Sequence, residues 1–235
     1  MLALLFLLLA PPEAQEAYQR GTSLIAQGRA GEALPHFQRA AGLDPANAQY
    51  WKALGVTFAS MELLRDSVEP FSNACKLAPE LEDACYYLGR SLYATDRYRE
   101  ALAPLATALR VDRVKGRAET ALAQCREALG EDRAAEAGFR AALGRKDGAQ
   151  QQSSIGYGRF LIRQGRAQEA ARLLEGAQIP ESAESRYVLG LAYSQSSRIL
   201  EAVAALERAV ALQPGHQAAG LLLAKLRVRL TPLPQ

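Results

Sequence analysis

Histidine and cysteine, the residues most used for metal ligation and nucleophilic catalysis, are scarce in this chain. Only His36, His216, Cys75, Cys85 and Cys125 occur in 235 residues. The two histidines are far apart, both are expected on the surface, and no cysteine or carboxylate cluster has ligand spacing, so no metal site is expected. There is no P-loop, no G-x-S-x-G and no H-E-x-x-H, which removes the common nucleotide, hydrolase and metalloprotease signatures. "GYGRF" at 156–160 has the composition of a phosphate loop but falls inside a helical pattern. No cofactor is expected. Lysine is also scarce, with Lys52, Lys76, Lys115, Lys146 and Lys225 the only ones among 28 cationic residues. The net charge is +3 and the basic residues are interspersed with 25 acids, so no nucleic-acid stripe stands out. A nucleic-acid binder would show affinity falling steeply with salt.

Long hydrophobic runs are missing, with one exception. Residues 1–10, "MLALLFLLLA", are apolar throughout, but a membrane-spanning helix needs about 20 such residues. The run has the length of the apolar region of an export signal and is followed by "PPEA". Residues 1–13 are therefore expected to be a signal peptide or hydrophobic N-terminal segment, and the protein periplasmic or secreted with no membrane span in the mature chain. No Lys or Arg precedes the run and Pro12 spoils an A-x-A cleavage site, which keeps a cytoplasmic protein as the alternative. Three cysteines are too few for a disulfide framework. All three sit in apolar helical patterns, where small buried residues fit; a Cys75 to Cys85 bridge across one loop is the other possibility.

What the chain has in plenty is apolar sequence, 49% of residues, and it is periodic. Gly21, Gly55 and Gly89 are spaced 34 apart. Twelve residues after each stands Ala33, Ser67 or Ala101; then come Phe37, Phe71 or Leu105, and Ala40, Ala74 or Ala108. Pro45 and Pro79 close the first two units. Ala123, Ala135, Phe139 and Ala142 continue the pattern in a fourth unit. Gly158, Ala170, Leu174 and Ala177 follow in a fifth, and Gly190, Ala202, Leu206, Ala209 and Pro214 in a sixth. A fixed period of this length marks a stack of repeated supersecondary units.

The pattern resembles the tetratricopeptide repeat, a unit of about 34 residues with Trp, Leu-Gly, Tyr, Ala, Phe, Ala and Pro at fixed offsets. Trp51, Leu54, Gly55, Phe58, Ser67, Phe71, Ala74 and Pro79 fill nearly every place. The resemblance implies an all-α fold, an α-solenoid of about six helix-turn-helix units in a right-handed superhelix with a concave groove. The units would be 14–47, 48–81, 82–115, a degenerate 116–147, then 151–182 and 183–216. A linker at 148–150 lies within a candidate hinge at 143–150, and 217–235 would be a capping helix and tail. A hairpin cannot bury its apolar face alone, so neighbours must stack. A glycine in mid-helix costs about 1 kcal/mol, so Gly55 is expected to allow close helix approach, facing small residues such as Ser67. Trp51 is expected in the core and Pro79 at a helix end. The C-terminal helix carries more leucine than a cap should, which leaves possible self-association through it.

Offsetting by about 100° from the core stripe gives the face that lines the groove in this family. Unit three places Asp83, Tyr86, Arg90 and Tyr93 there, and unit one Gln15, Tyr18, Thr22 and Ile25. Unit two gives Gln49, Lys52, Val56 and Ala59; unit four Arg117, Thr120, Gln124 and Glu127. Unit five gives Gln152, Ile155, Arg159 and Ile162; unit six Glu184, Tyr187, Leu191 and Ser194. The candidate binding residues are Tyr18, Lys52, Tyr86, Arg90, Tyr93, Arg159 and Tyr187, since tyrosine supplies large contact area at low entropy cost. Family members that hold chaperone tails use a Lys and Asn carboxylate clamp. Here its places hold Tyr18, Thr22, Ala53, Asp83 and Tyr87, so that clamp is missing. The expected function is a non-enzymatic scaffold that binds a peptide or protein partner in the groove, at the cell envelope. The alternative is an accessory or regulatory subunit that positions substrate for an enzyme on another chain.

Overall fold

The computed structural model describes residues 11–81, 83–145, 148–177 and 180–230. The apolar run at 1–10 lies outside the described residues. The chain divides into two compact units, residues 1–129 and 130–235. Among the described residues there is no strand.

Unit 1 contains α1 (Pro12–Ala26), α2 (Ala30–Leu43), α3 (Ala48–Ser60), α4 (Leu64–Leu77), α5 (Ala84–Ala94), α6 (Tyr98–Ala108) and α7 (Lys115–Ala128). A single 3-10 turn at Asp112–Val114 precedes α7. Unit 2 contains α8 (Asp132–Leu143), α9 (Gln150–Arg163), α10 (Ala167–Gly176), α11 (Ala183–Gln195), α12 (Ile199–Leu212) and α13 (Gln217–Leu230). In each unit consecutive helices pack as antiparallel hairpins, and each hairpin packs on the next.

The hairpin turns repeat at the sequence period. Gly28, Glu62, Asp96, Gly130, Gly165 and Ser197 all take positive φ, between 61° and 78°. Within each repeat the left-handed conformation reverses the chain in the three residues between a first helix and its second. The second helices of three units end in the same way. Asp44, Ala78 and Gln213, each preceding a proline, have left helical geometry at φ near −140° and ψ of 78° to 93°, because the proline ring clashes with a helical predecessor. The third repeat has no such proline; Leu109 stays helical and the chain passes through the 3-10 turn instead.

The recurring glycines make room for a bulky side chain rather than a small one. A Cβ on Gly55 would lie 2.7 Å from the Phe71 ring; on Gly21 it would lie 2.8 Å from Phe37, and on Gly190 2.8 Å from Leu206. The expected partner Ser67 sits elsewhere: its buried hydroxyl meets that of Ser91 at 2.7 Å, tying α4 to α5. The correction follows from side-chain direction. In a helix the glycine surface faces the residue one turn further along its partner, so Phe71 rather than Ser67 fills the gap.

Two other expectations change. Tyr50, not Trp51, is the fully buried aromatic of α3, with its hydroxyl donating to Gln15 Oε1 at 2.9 Å. Trp51 is half buried and donates to the Pro45 carbonyl at 2.9 Å. His36 and His216 are both half buried rather than on the surface. For His216 the reason is local. Its Nδ1 accepts from the Ala219 backbone N–H at 3.2 Å and caps α13. Cys75 and Cys85 form a disulfide that joins the end of α4 to α5, while Cys125 is a free, buried thiol. Burial pushes that thiol's pKa up to about 12, against a small opposing pull from Arg90. It is therefore inert as a nucleophile at neutral pH.

Candidate partner-binding face

In unit 1 the first helix of each hairpin, α1, α3 and α5, presents one face away from its own second helix. On α1 and α3 that face closes around a pocket of about 200 Å³. Tyr18, Thr22 and Ile25 form one wall; Gln49, Lys52 and Val56 form the other; Phe37, Ala53 and Thr57 form the floor. Six of these nine residues lie on the face predicted for repeats one and two. The floor was not predicted, because Phe37 comes from the second helix and reaches through the gap left by Gly21. Tyr18 is half buried, with its ring 5.7 Å from that of Phe37 and 5.1 Å from that of Tyr50. The lining is largely apolar, and Ile25 and Val56 are 37% and 38% exposed at its rim.

Lys52 closes one side of the pocket and pairs with Asp83, the residue before α5, at 2.6 Å. Asp83 was expected on the groove-lining face of unit three. Its Oδ1 is buried and otherwise without a hydrogen-bond partner, so the ammonium is what offsets its desolvation. The disulfide at Cys85 stands two residues along, which anchors the segment that carries Asp83.

The predicted face of α5 splits. Tyr86 is only 6% exposed and belongs to the core of unit 1 with Leu88, Leu105 and Val114. It had been placed outside the inter-helix core, and the correction lies with α7. That helix packs beside α5 and lays the Arg117 guanidinium over the Tyr86 ring, 5.1 Å from its centroid. Arg90 is half buried with its guanidinium 6.0 Å from the Tyr93 ring centroid, and Tyr93 in turn lies 5.4 Å from Tyr98.

In unit 2 the predicted residues are already engaged. Arg159 pairs with Glu184, whose other oxygen lies 3.5 Å from His216 Nε2. The Tyr187 ring lies tilted against that of His216, with centroids 4.9 Å apart. A cleft of about 330 Å³ between α10 and α11 is lined by Leu174, Glu175, Glu181, Arg186, Leu189 and Tyr193. Its carboxylates are satisfied from within: Glu175 accepts from Tyr193 and Arg198 at 2.7 and 2.8 Å. Glu181 accepts from Arg186 at 2.7 Å and Arg208 at 2.8 Å. The arginine hydrogen bonds, that of Arg208 foremost, hold the Glu181 pKa down to about 2.

Among the described residues no group of three His, Cys, Asp or Glu side chains is placed to hold a metal. No described helix is long and apolar enough to cross a membrane.

A profile described as tetratricopeptide repeat matches residues 18–81 and 158–216, just over half of the chain. The chain belongs to the tetratricopeptide repeat family. The matched segments are repeats one and two and repeats five and six; the middle of the chain departs from the family pattern. No curated protein matches this sequence. Among solved structures, a tetratricopeptide repeat protein from Parabacteroides merdae superposes with a TM-score of 0.73 at 16% identity, over 92% of this chain and 85% of that one. PilW, described as a widely conserved type IV pilus biogenesis factor, gives 0.72 at 17%, over 91% of this chain and all of the other. PilF of Pseudomonas aeruginosa gives 0.67 at 18%, over 91% and 97%. At these identities the likeness is one of fold. Tetratricopeptide repeat proteins are generally protein-interaction scaffolds, and the α-helical solenoid class is the one this chain adopts.

Proposed function

We propose that the protein is a non-enzymatic scaffold of the cell envelope that holds a segment of a protein partner on the first-helix face of unit 1. The observation that carries this is the pocket between α1 and α3, where apolar side chains stand open at the rim of an otherwise closed core. Exposed apolar surface arranged around a pocket is what an anchoring side chain of a partner fills. Catalytic chemistry has little to work with here. The one free thiol is buried and protonated, and no described group of His, Cys, Asp or Glu side chains is placed to hold a metal. Support for the envelope comes from the Cys75–Cys85 disulfide, because structural disulfides persist in oxidising compartments, and from the apolar run at residues 1–10.

The test is recovery of partners from the periplasmic fraction of the native cell by wild type and by Thr22→Arg with Val56→Arg. Both positions are exposed, so the fold is retained while the pocket mouth is blocked. Wild type should recover a protein that the variant loses. Equal recovery by the two contradicts the pocket, and recovery only from the cytoplasmic fraction contradicts the location.

A further inference from the structure

The first-helix face of unit 1 changes character along the chain. It is apolar at α1 and α3 and cationic at α5 and α7. Arg90 and Arg117 are both half buried, and each rests on a tyrosine ring with no carboxylate paired to it among the described residues. The other cations of these faces are neutralised: Lys52 by Asp83, and Arg159 in unit 2 by Glu184. Arg90 stands one turn along α5 from Tyr86, the ring that Arg117 of α7 covers, and α5 packs against α7.

A guanidinium that has given up part of its water needs an anion, and a ring face compensates only in part. The planar fork of arginine is suited to a carboxylate, which it can hold through two parallel hydrogen bonds. An acidic peptide supplies such carboxylates.

We propose that Arg90 and Arg117 form a carboxylate-recognition site for an acidic segment of a protein partner, whose apolar side chain occupies the pocket between Tyr18 and Val56. This rests on the partner-binding role of the same face. The partner segment then carries one apolar anchor and, further along, at least two Asp or Glu residues.

A random dodecapeptide display library selected on the immobilised full chain, followed by anisotropy titration of the enriched peptides, tests this. Enriched peptides should be rich in Asp and Glu. Their affinity should fall about tenfold or more in Arg90→Gln with Arg117→Gln, and should hold in the exposed control Arg99→Gln with Arg110→Gln. Arg90→Lys with Arg117→Lys keeps the charge and should recover part of the lost binding, which separates charge loss from unfolding. Unchanged affinity in the glutamine pair overturns the proposal. So does enrichment without acidic residues. If those neutral peptides are lost on Val56→Arg, the face still binds partners and only the acidic site is wrong; if they are not, the face itself is wrong. A single-stranded dT dodecamer that binds tighter than the peptides replaces the acidic segment with a nucleic acid and also overturns the proposal.

Discussion

Gly55 and Gly220 are both helical glycines, yet substitution should act in opposite directions at the two. At Gly55 an added Cβ meets the Phe71 ring at 2.7 Å. That ring is fully buried and stacks on Tyr87 at 5.4 Å, so it has nowhere to retreat. Overpacking of this kind costs about 1–3 kcal/mol, which outweighs the gain in helix propensity. Around Gly220 there is nothing within 4 Å, and Gly220→Ala should stabilise α13 by about 0.5–1 kcal/mol. Denaturant unfolding of the two variants should therefore show Gly55→Ala below wild type and Gly220→Ala above it. Stabilisation by both would contradict the packing described here. The position of Gly55 was legible from the 34-residue spacing, but its partner was not. Sequence spacing shows which residues share a helix face; which side chain crosses to the glycine depends on how the two helices are staggered.

At the scale of helices, local signals and pairings between helices were unequally legible. Pro45, Pro79 and Pro214 mark helix ends that the structure places one to two residues earlier, because the proline constrains its own neighbour. The burial of Tyr86 was hidden, because a 100° offset describes one helix in solvent and says nothing of Arg117 on α7. The Lys52 to Asp83 pair joins residues 31 apart with no local pattern to announce them. The disulfide was one of two readings of the same cysteines, and only the approach of α4 to α5 decides between them. The ion pairs of unit 2 yield a prediction about acid. Glu181 bridges Arg186 on α11 to Arg208 on α12, and its pKa falls from 4.5 to about 2. A depressed carboxylate pKa means the unfolded chain binds protons first. The stability it contributes is complete above the unfolded value and is lost as pH falls through the folded one. Glu136 and Glu175 are shifted in the same direction: burial opposes ionisation of Glu136 but is outweighed by hydrogen bonds from Tyr157 and Arg166, and the Tyr193 hydroxyl leads at Glu175. Exposure makes each effect small. Glu181→Gln should be less stable than wild type at about pH 6, with the gap shrinking by about pH 2.5. A gap independent of pH would contradict the pairing.

For the whole molecule, the fold was legible in the sequence, and the placement of the candidate face residues only partly so. The solenoid class follows from periodicity, because a repeated hairpin must stack to bury its apolar face. The residues chosen at repeats one and two line a pocket, whereas at repeats five and six Arg159 and Tyr187 are taken up by Glu184 and His216. Tetratricopeptide repeats supply many surfaces, and what distinguishes one is where its side chains are left without partners. Among the described residues, Ile25 and Val56 are exposed and Arg90 and Arg117 are without a paired carboxylate on the first-helix face of unit 1, which is why the partner is proposed to bind there. The direct measurement is a photo-crosslinking scan in the native cell. A benzophenone side chain is placed in turn at Thr22, Val56 and Arg90 on the first helices, and at Gln38, Glu69 and Ala103, exposed positions on the second helices. Crosslinks to one partner from the first three positions and none from the last three are expected; crosslinks confined to the second helices, or absent from all six, would contradict the assignment.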